Sequence, residues 1–419
     1  MDKPAGGSKL RLGRRAYLRG GGLVAGIGVA GCLGAEGDPD PIRVGNLSPF
    51  SGGLGWIGPN SRRGIRTSLA GSGGVNQATI DGRAVEIVEQ DTETDPETAT
   101  TGFRSLDDAG VATMVGPSSV VAASLFRPAL TARLSFVSPI SGTTQLDSIG
   151  GTYVWRTVPS DTVGARAQAR FAYQGPGCRR MALAYRDSKG SYSFSKASGK
   201  HFSSLGGDVV AETALNPSAT DYRSTVRTIQ DAGADVVSLT AGTTITGQFI
   251  RDYVSLGAAD DFVILLGNDV LTSAFIDEMG ADTMEGMVGQ TPTSGPAADV
   301  FTERYDAVHG ATPGTFASAA YDAMNLIALA FVKEGEPNRR AVPDHLRDIG
   351  NPPGTEVSTF AAGKAALETG EPINYVGAAT PQNFNEYGDP LGSFAIRQVV
   401  DGAWQTVATY TAEQLSEGG

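Results

Sequence analysis

The feature that most limits what this chain can fold into is a repeated unit. A short apolar run is closed by a loop of small or polar residues, and an amphipathic stretch follows. The first run is Ile42-Arg43-Val44-Gly45-Asn46-Leu47, leading into Ser48-Pro49-Phe50-Ser51-Gly52-Gly53. That loop is too rich in glycine and proline to extend a strand, and residues 62–69 can start a helix behind it. Apolar runs at 85–88, 111–115 and 134–137 alternate with helical stretches at 97–109 and 120–131. A second series has runs at 180–185, 209–213, 236–239 and 262–266, separated by helical stretches at 162–173, 193–205, 222–232 and 247–256. Strand and helix alternating roughly every 25 residues is the pattern of a parallel sheet covered on both faces.

The spacing predicts an α/β chain of two doubly wound parallel-sheet lobes joined by three hinge crossings. The crossings fall at 153–161, 286–292 and 372–377. Lobe one then takes 42–158 and 289–372, and lobe two takes 159–288 and 373–419. Asp401-Gly402 should turn a closing hairpin between strands at 394–399 and 406–409. Ligands of such sheets bind beyond the carboxyl ends of the strands, so the strand-end loops are the candidate site.

Residues 1–32 read as a delivery segment. Arg14-Arg15-Ala16-Tyr17-Leu18-Arg19 precedes a weakly apolar, glycine-rich stretch ending in Val29-Ala30-Gly31-Cys32. The stretch is too short for a good membrane span. The paired arginines have the pattern of a twin-arginine export signal. Val29-Ala30-Gly31-Cys32 has that of a lipobox, whose cysteine becomes the lipidated first residue. Residues 33–41 then form an acidic tether. The expectation is a monomer held by lipid at the extracellular face of the cytoplasmic membrane.

The net charge of −12 argues against a nucleic-acid partner, because phosphate binding needs basic patches. Lysine occurs only seven times, against 26 arginines. A dense carboxylate surface with few lysines fits a protein adapted to high salt, where screening relieves self-repulsion; a high-GC genome is the alternative source of the same bias. Cys32 and Cys178 stand in unrelated contexts and suggest no disulfide. Three scattered histidines give no metal-ligand spacing, and no cofactor is expected.

The loops, in this order, resemble those of the type I solute-binding proteins of branched-chain amino acid ABC importers. The resemblance covers roughly 42–408. It is carried by the Leu47-Ser48-Pro49-Phe50-Ser51-Gly52 loop, Gly58, Gly116-Pro117-Ser118-Ser119, Asp221-Tyr222, Glu285-Gly286 and the final Asp-Gly hairpin. It implies a solute held between two closing lobes, with no catalysis. Ser118, Ser119, Ser141, Gly142 and Thr143 would hold a carboxylate; such donors at loop-to-helix junctions make an anion site without a formal positive charge. Tyr192 would contact the ligand, and Asp269 would pair with its ammonium. Trp56, Ile57 and Thr243 complete the candidate set, with Trp56 or Ile57 on one lip of the cleft. Asp269 replaces a more usual glutamate, and Ser141-Gly142 a more usual Ala-Thr. A branched-chain or other small amino acid therefore leads, with an amide, urea or aromatic acid as alternatives. The expected partner is an ABC permease.

Two other classes compete. Against an enzyme, Gly45-Asn46-Leu47-Ser48-Pro49 does not give the GxGxxG fingerprint, and no P-loop or Gly-x-Ser-x-Gly elbow stands out. An extracellular ligand sensor would use the same cleft and is not distinguished by sequence.

Overall fold

The computed structural model describes residues 39–71 and 79–416. The stretch read as an export signal, Cys32 and most of the expected tether lie outside the described residues. Among those described, no helix is long and apolar enough to cross a membrane.

The first sheet holds six strands: β1 (Ile42–Ser48), β2 (Thr79–Ile80), β3 (Arg83–Asp91), β4 (Thr113–Val115), β5 (Phe136–Ser138) and β6 (Val154–Arg156). Their order is β2-β3-β1-β4-β5-β6, parallel except for the short edge strand β2. Helices α1 (Ile57–Leu69), α2 (Pro96–Asp108) and α3 (Ser119–Ala132) connect them. Helix α2 starts where Asp95 accepts hydrogen bonds from the N–H groups of Glu97 and Thr98, with Pro96 at its first position. Alternation along β1 sends Ile42 and Val44 to one core and Leu47 to the other. Gly45 lets α2 approach, since a Cβ there would lie 2.9 Å from Leu106 Cδ1 of that helix.

The second sheet holds β7 (Arg180–Arg186), β8 (Asp208–Leu215), β9 (Val236–Thr240), β10 (Val263–Leu266) and β11 (Val288–Pro292). Helices α4 (Asp161–Gln174), α5 (Lys189–Ser204), α6 (Arg223–Asp231), α7 (Gly242–Ser255), α8 (Ser273–Met279) and α9 (Ala281–Met284) belong to this lobe. The chain then supplies α10 (Ala298–His309), α11 (Ala317–Glu334), α12 (Ala341–Gly350) and α13 (Phe360–Glu368) to the first lobe. Residues 319–331 of α11 are all buried, and the helix packs on the sheet and on α1. Strands β12 (Thr355–Val357) and β13 (Ile373–Tyr375) form a small parallel pair. Finally β14 (Phe394–Val400) and β15 (Ala403–Tyr410) add two antiparallel strands to the second sheet, before α14 (Ala412–Ser416). Asp401 and Gly402, with φ of 52° and 71°, make the hairpin turn.

The α/β reading with two lobes holds, and both sheets are mixed, not purely parallel. Two boundaries differ from expectation. Residues 288–292 are strand β11 of the second sheet, and the chain leaves that lobe only after Pro292. Residues 373–375 are likewise not a crossing. Ile373 and Tyr375 are buried in the first lobe's core, where the Tyr375 hydroxyl donates to Asp322 and accepts from Asn325. The third crossing is at about residue 393, beside the second: Thr293 N–H donates to the Ser393 carbonyl at 2.9 Å.

At the end of β6, Arg156 is 1 % exposed. Its Nε donates to Asp389 and its Nη2 to Asp147, each at 2.5 Å. Its Nη1 donates to the Ser141 and Thr143 carbonyls. Burial penalises this charge, yet the two carboxylates hold its pKa above the ordinary arginine value. Replacing Arg156 by Met strands two carboxylates, so denaturant unfolding should show a loss of about 3–5 kcal/mol. Adding Asp389→Asn to that variant should recover part of the loss.

Candidate functional site

A cavity of about 280 Å³ lies at the carboxyl ends of the strands, between the lobes. The first lobe contributes Ser119, Ile140 and Gly142, and the first crossing contributes Pro159, Ser160 and Asp161. From the second lobe come Ser191 and Phe194 of α5, Thr240 and Gly242 at the β9–α7 junction, Asp269 after β10, and Gln290 of β11. Phe316, just before α11, closes one side.

Ser119 is the first residue of α3. Its hydroxyl accepts the Thr143 N–H at 3.3 Å. Gly142 is there because nothing larger fits: a Cβ would come within 2.3 Å of the Asp161 carboxylate. The backbone ties the same pair, since Asp161 N–H donates to the Gly142 carbonyl at 2.7 Å.

The wall is rich in acceptors. No basic side chain is among the described residues lining it, whereas Asp161 and Asp269 both face it. Burial, reinforced by nearby Asp147 and only partly offset by Arg156, pushes the Asp161 pKa up to about 6. Asp269 is open to the cavity space, yet the surrounding loops take much of its carboxylate out of water. That desolvation raises its pKa against the N–H groups of Gly242 and of Asp269 itself. Thr240 Oγ1 and Gln290 Oε1 are buried without a protein hydrogen-bond partner.

Of the residues expected from sequence, the structure brings Ser119, Gly142 and Asp269 together at the cavity. Ser118, Ser141 and Thr143 stand behind them. Ser118 is the buried N-cap residue of α3, the Ser141 hydroxyl donates to the Pro117 carbonyl, and the Thr143 hydroxyl caps the turn 144–146. Tyr192 does not line the cavity. Ser188 caps α5 early by accepting the Ser191 N–H, so Tyr192 is already helical and turns outward while Ser191 and Phe194 turn inward. Thr243 is exposed in the first turn of α7. Ile57 is buried at the start of α1.

Nor does the opening loop form a lip of the cavity, because Asp91 ties it back. That carboxylate accepts from the Phe50 and Ser51 N–H groups and from the Ser51 hydroxyl. Trp56 is 55 % exposed and reaches the site only by stacking on Phe316, ring centres 6.5 Å apart. Phe316 has φ +68°, a strained conformation for a bulky residue. Sequence reasoning missed Phe316, Gln290 and Asp161. Asp161 carried a usable signal, as the carboxylate opening the first helix after a crossing.

With this geometry in place, the relatives can be stated. The chain belongs to the periplasmic binding protein family, whose model matches residues 41–402. The chemotactic signal transduction system substrate-binding protein BasB of Halobacterium salinarum is 26 % identical over 417 residues, covering 90 % of this chain and 92 % of BasB. Among solved structures, the leucine binding protein LivK of Thermotoga maritima superposes with a TM-score of 0.71 at 21 % identity, covering 89 % of this chain and 99 % of LivK. A solute binding protein of an R. palustris ABC transporter, in complex with 4-hydroxybenzoate, gives 0.67 at 20 %, covering 89 % of this chain and 97 % of that one. The family read from the loops is the family found.

Asp161 sets a stability test. Its pKa is higher folded than unfolded, so the folded state holds this proton more tightly. The stability it contributes is present below about pH 4 and is lost as pH rises through about 6. Ligand-free Asp161→Asn should therefore be more stable than the parent at pH 7.5, by roughly 1–3 kcal/mol. At pH 3.5 the two should coincide. Denaturant titrations at both pH values measure this.

Proposed function

We propose that this chain is the extracytoplasmic substrate-binding component of an ABC importer. It captures a branched-chain or other small amino acid between two closing lobes and delivers it to a membrane permease. The carrying observation is the pair of carboxylates, Asp161 and Asp269, facing a cavity with no basic side chain among the described residues. An ammonium group satisfies both, and in a partly dry cleft such charge-assisted bonds are strong. The ligand's carboxylate would lie at the Ser119 hydroxyl and the N-terminus of α3. A volume of about 280 Å³ suits a small amino acid. A bare aromatic acid, as in the R. palustris relative, would meet two carboxylates and no cation here; an amide or urea would leave both without a counter-charge.

Export by the Arg14-Arg15 signal and lipid anchoring through Cys32 complete this reading, supported by those motifs alone. A second reading, an extracellular sensor, is favoured by the chemotactic role named for the Halobacterium relative. Both use the same cleft without chemical turnover. Whether a permease and ATPase or a transducer is encoded beside this chain separates them.

Calorimetric titration with leucine, isoleucine and valine tests the site. Ser119→Ala, Asp269→Ala and Asp161→Asn should each weaken binding about 10- to 100-fold with the fold retained. Unchanged affinity in all three would overturn the assignment. Affinity should also rise with pH through about 6 as Asp161 ionises, and Asp161→Asn should flatten that rise.

A further inference from the structure

The outer side of α5 carries a different chemistry. Only five lysines follow residue 32, and three of them, Lys189, Lys196 and Lys200, stand on this one helix. With Arg166 of α4 they line a second cavity of about 680 Å³. No carboxylate is among its described lining residues. Lys196 is partly neutralised by Glu212, at 2.9 Å. Among the described residues neither Lys189 nor Lys200 has an ion-pair partner.

We propose that this pocket binds a small multivalent anion. A solvated basic helix face is the plain alternative, and three observations argue beyond it. First, the cations converge on a concavity of ligand size and do not spread over a convex face. Second, the lining adds hydroxyls: Thr144, from the first lobe, and Ser193, from the second, hydrogen-bond each other there, which leaves one hydroxyl proton free to donate. Third, the cluster persists in a chain of net charge −12, where random placement would intersperse acids among so few lysines. His201 adds no charge near neutrality. Burial, with Arg166 and Lys200 close by, pushes its pKa down to about 4.

Phosphate and carboxylate polyanions share the chemistry this pocket offers, which is several convergent ammonium and guanidinium donors. Calorimetry on the full chain at low ionic strength, without any cleft ligand, separates them: pyrophosphate in one arm, citrate in the other, sodium chloride as the monovalent control. The expected result is saturable binding of one anion per chain by one or both probes, with chloride giving none. Lys189→Gln combined with Lys200→Gln should weaken it about tenfold or more. Lys333→Gln combined with Lys364→Gln, which removes two charges on α11 and α13, should leave it unchanged. Two results would overturn the proposal. One is an absence of saturable binding for both probes, leaving a face suited to an acidic macromolecule. The other is equal weakening by both double variants, the sign of diffuse attraction to total charge. Neither outcome bears on amino-acid binding in the cleft, which a separate titration reads.

Discussion

The site depends on one buried cation. Arg156 stands where the chain leaves the first lobe, and its five-donor fork is divided among four acceptors. Two are the carbonyls of Ser141 and Thr143, which fixes the loop containing Gly142. Another is Asp147, which also accepts from the Ser160 and Thr162 hydroxyls and so fixes the start of α4. The last is Asp389, shortly before the chain returns to the second lobe. A lysine could not reach these directions at once, since its ammonium is a point charge without the planar fork. Loop, first crossing and last return are thus referred to a single group, which registers the two lobes at the cavity.

That arrangement has an electrostatic residue. Asp147 and Asp389 satisfy Arg156, so Asp161 finds the cation already paired. It meets burial and a neighbouring negative charge, which is why its proton is held up to about pH 6. Asp269, after β10 of the second lobe, is raised as well by burial. The ligand-free cleft is therefore a destabilised place, of the kind binding sites commonly keep. A cationic group entering between the two lobes relieves both carboxylates together.

Most of the fold was legible in the sequence because it rests on periodicity. The apolar runs became strands within a few residues of their expected ends, and the helix expected at 162–173 matched within one residue at each end. The misplaced crossings had a common cause. Gly286 to Pro292 and Pro372 to Gly377 carry glycine and proline, which read as linkers, yet burial of Ile373 and Tyr375 and pairing of β11 override that local signal. The site was half legible. Ser119, Gly142 and Asp269 follow from where strands end. Tyr192 did not, because a serine cap four residues upstream begins the helix early and turns the ring by most of a half-turn. Phe316 offered no pattern at all; its place depends on a left-handed backbone that only the packed fold enforces.

Helix α5 shows how one element can serve two chemistries. Its period of 3.6 residues places Ser191 and Phe194 on the cleft, while Tyr192, Ser193 and Lys196 face the basic pocket. The two cavities are thus separated by the thickness of a single helix, and their linings are opposite: acceptors and carboxylates within, donors and cations without.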